Sequence, residues 1–205
     1  EYKMRPITLT LITLLTVSII SFPALAAWQL GNSSSLLSFV SIKKSTIAEN
    51  HHFSRLKGNI SEKAQVNISI DLASVVTNIA IRDERMKKFV FETSKYSSAT
   101  FSAQLDQAMF EALKIAQEQK LTVNGTVDFH GQQQKINIEV SVIKLTASKI
   151  LVNTVKPFFI KADAFDVVAG INKLKELASL PSIDYVVPVS FSGTFRPIEL
   201  ITNEK

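Results

Sequence analysis

The stretch VNISIDL fixes more about this chain than any other seven residues. Val66, Ile68, Ile70 and Leu72 fall on one side of an extended backbone, and Asn67, Ser69 and Asp71 fall on the other. A period of two belongs to a strand with one dry and one wet face, the pattern of antiparallel sheets. The pattern returns in LTVNGTVDFH, where Leu121, Val123, Val127 and Phe129 oppose Thr122, Asn124, Thr126, Asp128 and His130. It returns again in KINIEVSV, with Ile136, Ile138, Val140 and Val142 opposite Asn137, Glu139 and Ser141. Between these two, HGQQ supplies Gly131 where a tight hairpin needs it. Further strands are expected at Leu36–Ile42, Phe53–Ile60, Ala99–Leu105, Lys149–Lys161 and Tyr185–Phe195.

Two stretches break the rhythm. In DAFDVVAGINKLKELASLPSI, Phe165, Val168, Ile171 and Leu177 recur at helical spacing before Pro181. DQAMFEALKIAQEQK fits one or two helical turns through Met109, Leu113 and Ala116. No repeat or linker divides the chain, so one domain is expected. About eight short strands with one or two short helices predict a mainly β fold, a closed eight-stranded antiparallel barrel. Such a barrel is either filled by its own side chains or holds an elongated ligand. Thirteen phenylalanines, three tyrosines and one tryptophan favour a wide apolar interior. The inward positions of the strands then give the candidate lining: Phe39, Ile68, Ile70, Phe101, Val123, Phe129, Ile138, Val140, Phe158 and Phe191.

The first 26 residues are of another kind. Lys3 and Arg5 precede an apolar run, Ile7–Ile20, and FPALAA then offers small residues at Ala24 and Ala26. This is the layout of a secretory signal cleaved after Ala26, leaving residues 27–205 as the mature domain in the periplasm. The net charge of +5 falls to about +4 once Lys3, Arg5 and Glu1 leave with it. The basic residues are scattered, with no aromatic interleaving, so a nucleic-acid partner is not expected. Weak, transient contact with an anionic membrane surface is the one contact this charge favours. The absence of cysteine removes disulfides, thiol catalysis and cysteine-metal sites.

Nothing in the remaining residues assembles a reaction centre. The adjacent His51 and His52 point to opposite faces of a strand, and His130 ends a strand beside a turn, so no metal is expected. There is no G-x-S-x-G elbow, and six glycines form no phosphate-cradling loop. The charge-dense segment IRDERMKKFVFETSKYSSATF admits three readings: a catalytic cluster, a basic docking strip or a structural corner.

The order of these motifs resembles the YceI-like family of lipid- or polyisoprenoid-binding domains. The likeness begins at Trp28 in WQLGNSSSLLSFVSIKKSTIAENHHF and continues through Ser74, Val75, Thr77, Arg82, Asp83 and Phe91 of SVVTNIAIRDERMKKFVFE. It runs on through YSSATF and LTVNGTVDFHGQQQKINIEV to the V-P-V-x-F strand of DYVVPVSFSGTF, nearly the whole mature chain. Asn78 stands where the family often has glycine, Ser97 where it has proline, and its paired phenylalanines are spread over Phe89–Phe91. The resemblance implies a lipocalin-like barrel that encloses an isoprenoid or quinone-type lipid, with no catalytic residues and no cofactor besides that lipid. It makes Arg82 and Asp83 a structural corner that turns a strand into a loop and shields the barrel end. It also adds Phe89 and Phe91 to the candidate lining, has Tyr96 pack inward, and leaves Lys87 and Lys88 in solvent. A periplasmic, stress-related interaction module without lipid is the alternative, and a hydrolase is the least supported reading.

Overall fold

The computed structural model describes residues 27–198; the expected signal segment lies outside them. The chain runs up and down in eight antiparallel passes, four of them interrupted. The first pass is β1 (Trp28–Leu30) and β2 (Leu36–Lys43), and the second is β3 (Ile47–Phe53) and β4 (Leu56–Ile60). The third is β5 (Gln65–Asp71) and β6 (Val75–Val76). Three uninterrupted passes follow: β7 (Ser98–Gln104), β8 (Glu118–Phe129) and β9 (Gln132–Thr146). The seventh is β10 (Lys149–Thr154) with β11 (Phe158–Lys161), and the eighth is β12 (Val186–Pro197). Each pass pairs with the next, and β12 returns to the first, with Trp28 opposite Pro197 and Phe39 opposite Val189. The ring is therefore closed, as the alternation predicts.

The interruptions of the first three passes lie side by side, and side chains take over the lost ladder bonds. The Asn32 amide accepts from Leu56 N at 2.6 Å and donates to Ser54 O at 3.1 Å. Arg55 N donates to Ser74 Oγ, whose hydroxyl donates in turn to Asp71 O at 2.6 Å. The strands can bend along this seam without leaving buried backbone groups unpaired. The hairpin between β8 and β9 is a two-residue turn in which His130 and Gly131 both have positive φ, 53° and 77°. That conformation matches the twist of the flanking strands, and glycine adopts it without strain.

Each barrel end is closed differently. At the β1 end, α2 (Gln107–Glu111) lays Phe110 edge-on against Trp28, with ring centroids 6.5 Å apart. Asp106 caps α2 by accepting from Met109 N at 3.1 Å. At the other end stand α1 (Ala80–Arg85), a wide π-type turn at Met86–Val90 and α3 (Val168–Leu177). Gly170 of α3 sits directly on the carbonyl of Phe89, a contact with no room for a side chain.

Several expectations need correction. Among the described residues there are three short α-helices where one or two are expected. The segment 80–90, to which the sequence assigns no element, is helical; its helix and π-turn have different pitches, so no steady apolar stripe marks them. β3 was missed ahead of Phe53 because its inward positions include Glu49 and His51.

Candidate ligand-binding site

The barrel encloses a cavity of about 570 Å³, within the range of small-molecule sites. Inward positions of nearly every pass supply its wall, and most of that wall is aliphatic or phenyl. Of the expected lining, Phe39, Ile68, Ile70, Phe91, Phe101, Val123, Phe129, Ile138, Val140, Phe158 and Phe191 stand on the wall. Phe89 does not. It lies half-buried on the outer side of the π-turn, where Lys88 Nζ sits 5.2 Å from its ring. Phe91, two residues on, is buried between Phe53 and Phe129, at centroid distances of 5.7 and 6.1 Å.

Tyr96 also lies off the wall, with its ring centroid 4.4 Å from that of His130. His130, although it stands in the turn after β8, is buried, and its Nε2 meets Glu92 Oε2 at 2.7 Å. Lys87 is not free in solvent: it is half-buried and bonds Glu84 at 2.9 Å.

Arg82 and Asp83 bind the same loop from two sides. Arg82 donates through Nη2 to Thr77 O at 2.6 Å, and Asp83 accepts from the amide and hydroxyl of Thr77. This fastens α1 to the end of β6. Arg82 also reaches the cavity wall, which the corner reading alone does not require.

Polarity in the cavity is concentrated on the β2–β3 hairpin. Its inward cross-strand pairs run Leu37 with Phe53, Phe39 with His51, then Ser41 with Glu49, and Lys43 follows. The wall thus passes from hydrocarbon to charge over four alternate positions of β2. Glu49 Oε2 accepts from Lys43 Nζ at 2.8 Å and from Arg82 Nη1 at 2.9 Å. These bonds, Lys43 first, hold its carboxyl below the usual carboxylate range. Burial, reinforced by the charge of Arg82, pushes His51 down to about 4, so its ring is neutral at pH 7. His51 Nε2 pairs with Ser41 Oγ at 2.8 Å. The sequence offered one signal of this polar end: inward alternation persists through Ser41 and Lys43 after the apolar residues stop.

The cavity reaches the surface beside this polar end. Ile79 and Ile81 are on its wall and 45% and 58% exposed. Arg85, Ala178 and Asp184 complete the rim on that side. At the α2 end, Asp106 is the exposed wall residue. Among the described residues no group of three or more acidic or histidine side chains could hold a metal ion, and no helix is long and apolar enough to cross a membrane.

Comparison with known proteins places this architecture. Residues 28–195 match the model of the YceI-like domain. The chain belongs to that family. A polyisoprenoid binding domain from Saccharophagus degradans, implicated in plant cell wall breakdown, is 37% identical and superposes with a TM-score of 0.82, covering 84% of this chain and 99% of that one. Burkholderia cenocepacia BcnA shares the fold at 20% identity and a TM-score of 0.63, over 80% of this chain and 98% of its own. A Campylobacter jejuni YceI protein does so at 18% and 0.52, over 73% and 85%. No curated protein sequence matches the chain.

Proposed function

We propose that this YceI-like protein is a periplasmic carrier that encloses the chain of an amphiphilic lipid of isoprenoid or quinone type. The observation that carries the reading is the 570 Å³ cavity, whose wall is mostly apolar, with its polar side chains concentrated near one end. Each methylene moved into it from water contributes about 0.8 kcal/mol, so a long unbranched or prenyl tail is held without any directional bond. The Saccharophagus degradans polyisoprenoid binding domain, similar over almost its whole length, supports the same ligand class. The layout of the first 26 residues supports export. The protein acts by binding, and no residue is assigned a catalytic role.

Native mass spectrometry of the purified full chain tests this. The expected spectrum shows an adduct extractable into organic solvent, or uptake of one added prenol or quinone per chain. A protein that emerges empty and takes up neither lipid refutes the carrier reading.

A further inference from the structure

Three segments that the fold ties together border the opening beside α1. At the tip of the β2–β3 hairpin, Lys44 N donates to Ser182 O at 3.1 Å, and Asp184 N donates to Ile42 O at 2.9 Å. The tip is thereby fixed to the loop between α3 and β12. Arg85 of α1 reaches Leu177 O at the end of α3. Each segment exposes aliphatic side chains: Ile47 on the tip, Ile79 and Ile81 at the start of α1, and Leu177 on α3.

Single exposed aliphatic residues are ordinary on a protein surface. These four ring one opening, and two of them, Ile79 and Ile81, also belong to the cavity wall. Apart from Arg85 and Asp184, the helical side of the wall is aliphatic out to solvent, through Leu174, Leu180 and Ile183. The polar residues Ser41, Lys43, Glu49 and His51 lie on the hairpin side.

We propose that this rim docks on a lipid bilayer, with Ile47, Ile79, Ile81 and Leu177 seated at the headgroup boundary and the cavity mouth facing the membrane. The proposal rests on the carrier reading above and names that carrier's partner. A tail drawn from a bilayer loses the benefit of burial over every methylene that crosses water. A rim seated in the interface lets the tail pass from acyl chains to cavity wall without that crossing. The shape selects a bilayer over a protein. A protein interface gains most from a packed, desolvated centre, and the centre of this patch is an opening. Fluid lipid fills such a centre.

Charge points the same way. Lys44 on the tip, Arg85 in α1 and Lys175 in the last turn of α3 have no ion-pair partner among the described residues. Of the carboxylates near them, Glu49, Glu84 and Glu176 are paired with lysines and Asp83 is bonded to Thr77, which leaves Asp184. The balance favours anionic headgroups.

The chain has no cysteine, so a single introduced one carries an environment-sensitive fluorophore at a chosen place. Ile81→Cys puts the label on the rim. Ile115→Cys puts it beyond α2, at the other end of the barrel, on a residue of the same type and matching exposure, 57% against 58%. Vesicles of equal parts phosphatidylcholine and phosphatidylglycerol are added to each labelled full-length protein. The emission at position 81 is expected to shift to shorter wavelength, and the emission at 115 to shift less. A second arm leaves the cavity wall untouched by joining Ile47→Ser to Leu177→Ser. This variant is expected to take up a prenol added in solution as wild type does, and to extract it from vesicles about tenfold more slowly. A shift at 81 no larger than at 115, or wild-type extraction by the double variant, overturns the docking rim and leaves the carrier reading standing. A wild-type protein that takes up no prenol from solution overturns the carrier reading, and with it the role given to the rim, whatever the labels report.

Discussion

Arg82 Nη1 donates to Glu49 Oε2 across 2.9 Å, although the two residues are 33 apart in sequence. This ion pair ties α1 to β3, and Arg82 holds Thr77 O with its other terminal nitrogen. Both side chains are mostly shielded, at 23% and 28% exposure, so the pair is worth more than a surface bridge. Arg82→Ala should cost about 2–3 kcal/mol in urea unfolding, because two carbonyl or carboxylate acceptors lose their donor. Glu49→Ala should cost less, since Arg82 keeps Thr77. The double mutant should fall short of the sum by roughly 1 kcal/mol, the signature of a direct contact. Strict additivity would show that the pair does not hold the corner.

Stability should fall as the medium is acidified from neutrality. His51 ordinarily titrates at 6.5 and in the folded protein is pushed down to about 4. Between those values the unfolded chain binds a proton that the folded chain refuses, so stability is complete above 6.5 and declines down to 4. The loss from this residue is on the order of 3 kcal/mol, at about 1.4 kcal/mol per unit. Glu49, held below its ordinary 4.5, adds a further loss only below that value. Urea midpoints measured from pH 7.5 to 4 should show this slope in wild type and a flatter profile in His51→Gln. Equal slopes would mean that His51 is not buried neutral.

How much of this was legible in the sequence depends on where each residue finds its partners. Val66–Leu72, Leu121–Phe129 and Ile136–Val142 announce their strands because one face is uniformly apolar, and the observed strands β5, β8 and β9 follow. β3 was illegible for the opposite reason. Its inward Glu49 and His51 are satisfied by Lys43, Arg82 and Ser41, and only folding brings those groups close. The seam of strand breaks hid in the same way, since Asn32 bonds to residues 22 and 24 positions away. Phe89 and Phe91 could not be told apart in sequence because the π-turn at Met86–Val90 changes the pitch between them and their helix.

Gly170 should be intolerant of any side chain. A methyl group there would overlap the carbonyl of Phe89 and the backbone of Val90. Alanine would ordinarily favour a helix by about 1 kcal/mol over glycine, but separating α3 from the π-turn costs about 1–3 kcal/mol or more. Gly170→Ala should therefore lower the melting temperature. It should also raise amide exchange in α3 and the π-turn ahead of the strands. A melting temperature at or above wild type would show that α3 is not seated on Phe89.

Filling the cavity should separate binding from folding. Val140 stands on the wall among Leu121, Val123 and Ile138, its side chain facing the space rather than the seam of another element. Val140→Phe adds apolar volume where no protein atoms stand, so the overpacking penalty of a filled core does not apply in full. The unfolding midpoint should stay within about 1 kcal/mol of wild type, in contrast to Phe129→Ala, which removes a ring packed on Phe91 and Phe165 and should cost about 3–5 kcal/mol. Lipid uptake, followed by native mass spectrometry against a fixed prenol concentration, should drop at least about tenfold in Val140→Phe, which corresponds to 1.4 kcal/mol. Retained uptake in a stably folded Val140→Phe protein would place the lipid outside the barrel. Lost uptake with an unchanged midpoint would locate it between β8 and β9 and the rest of the ring.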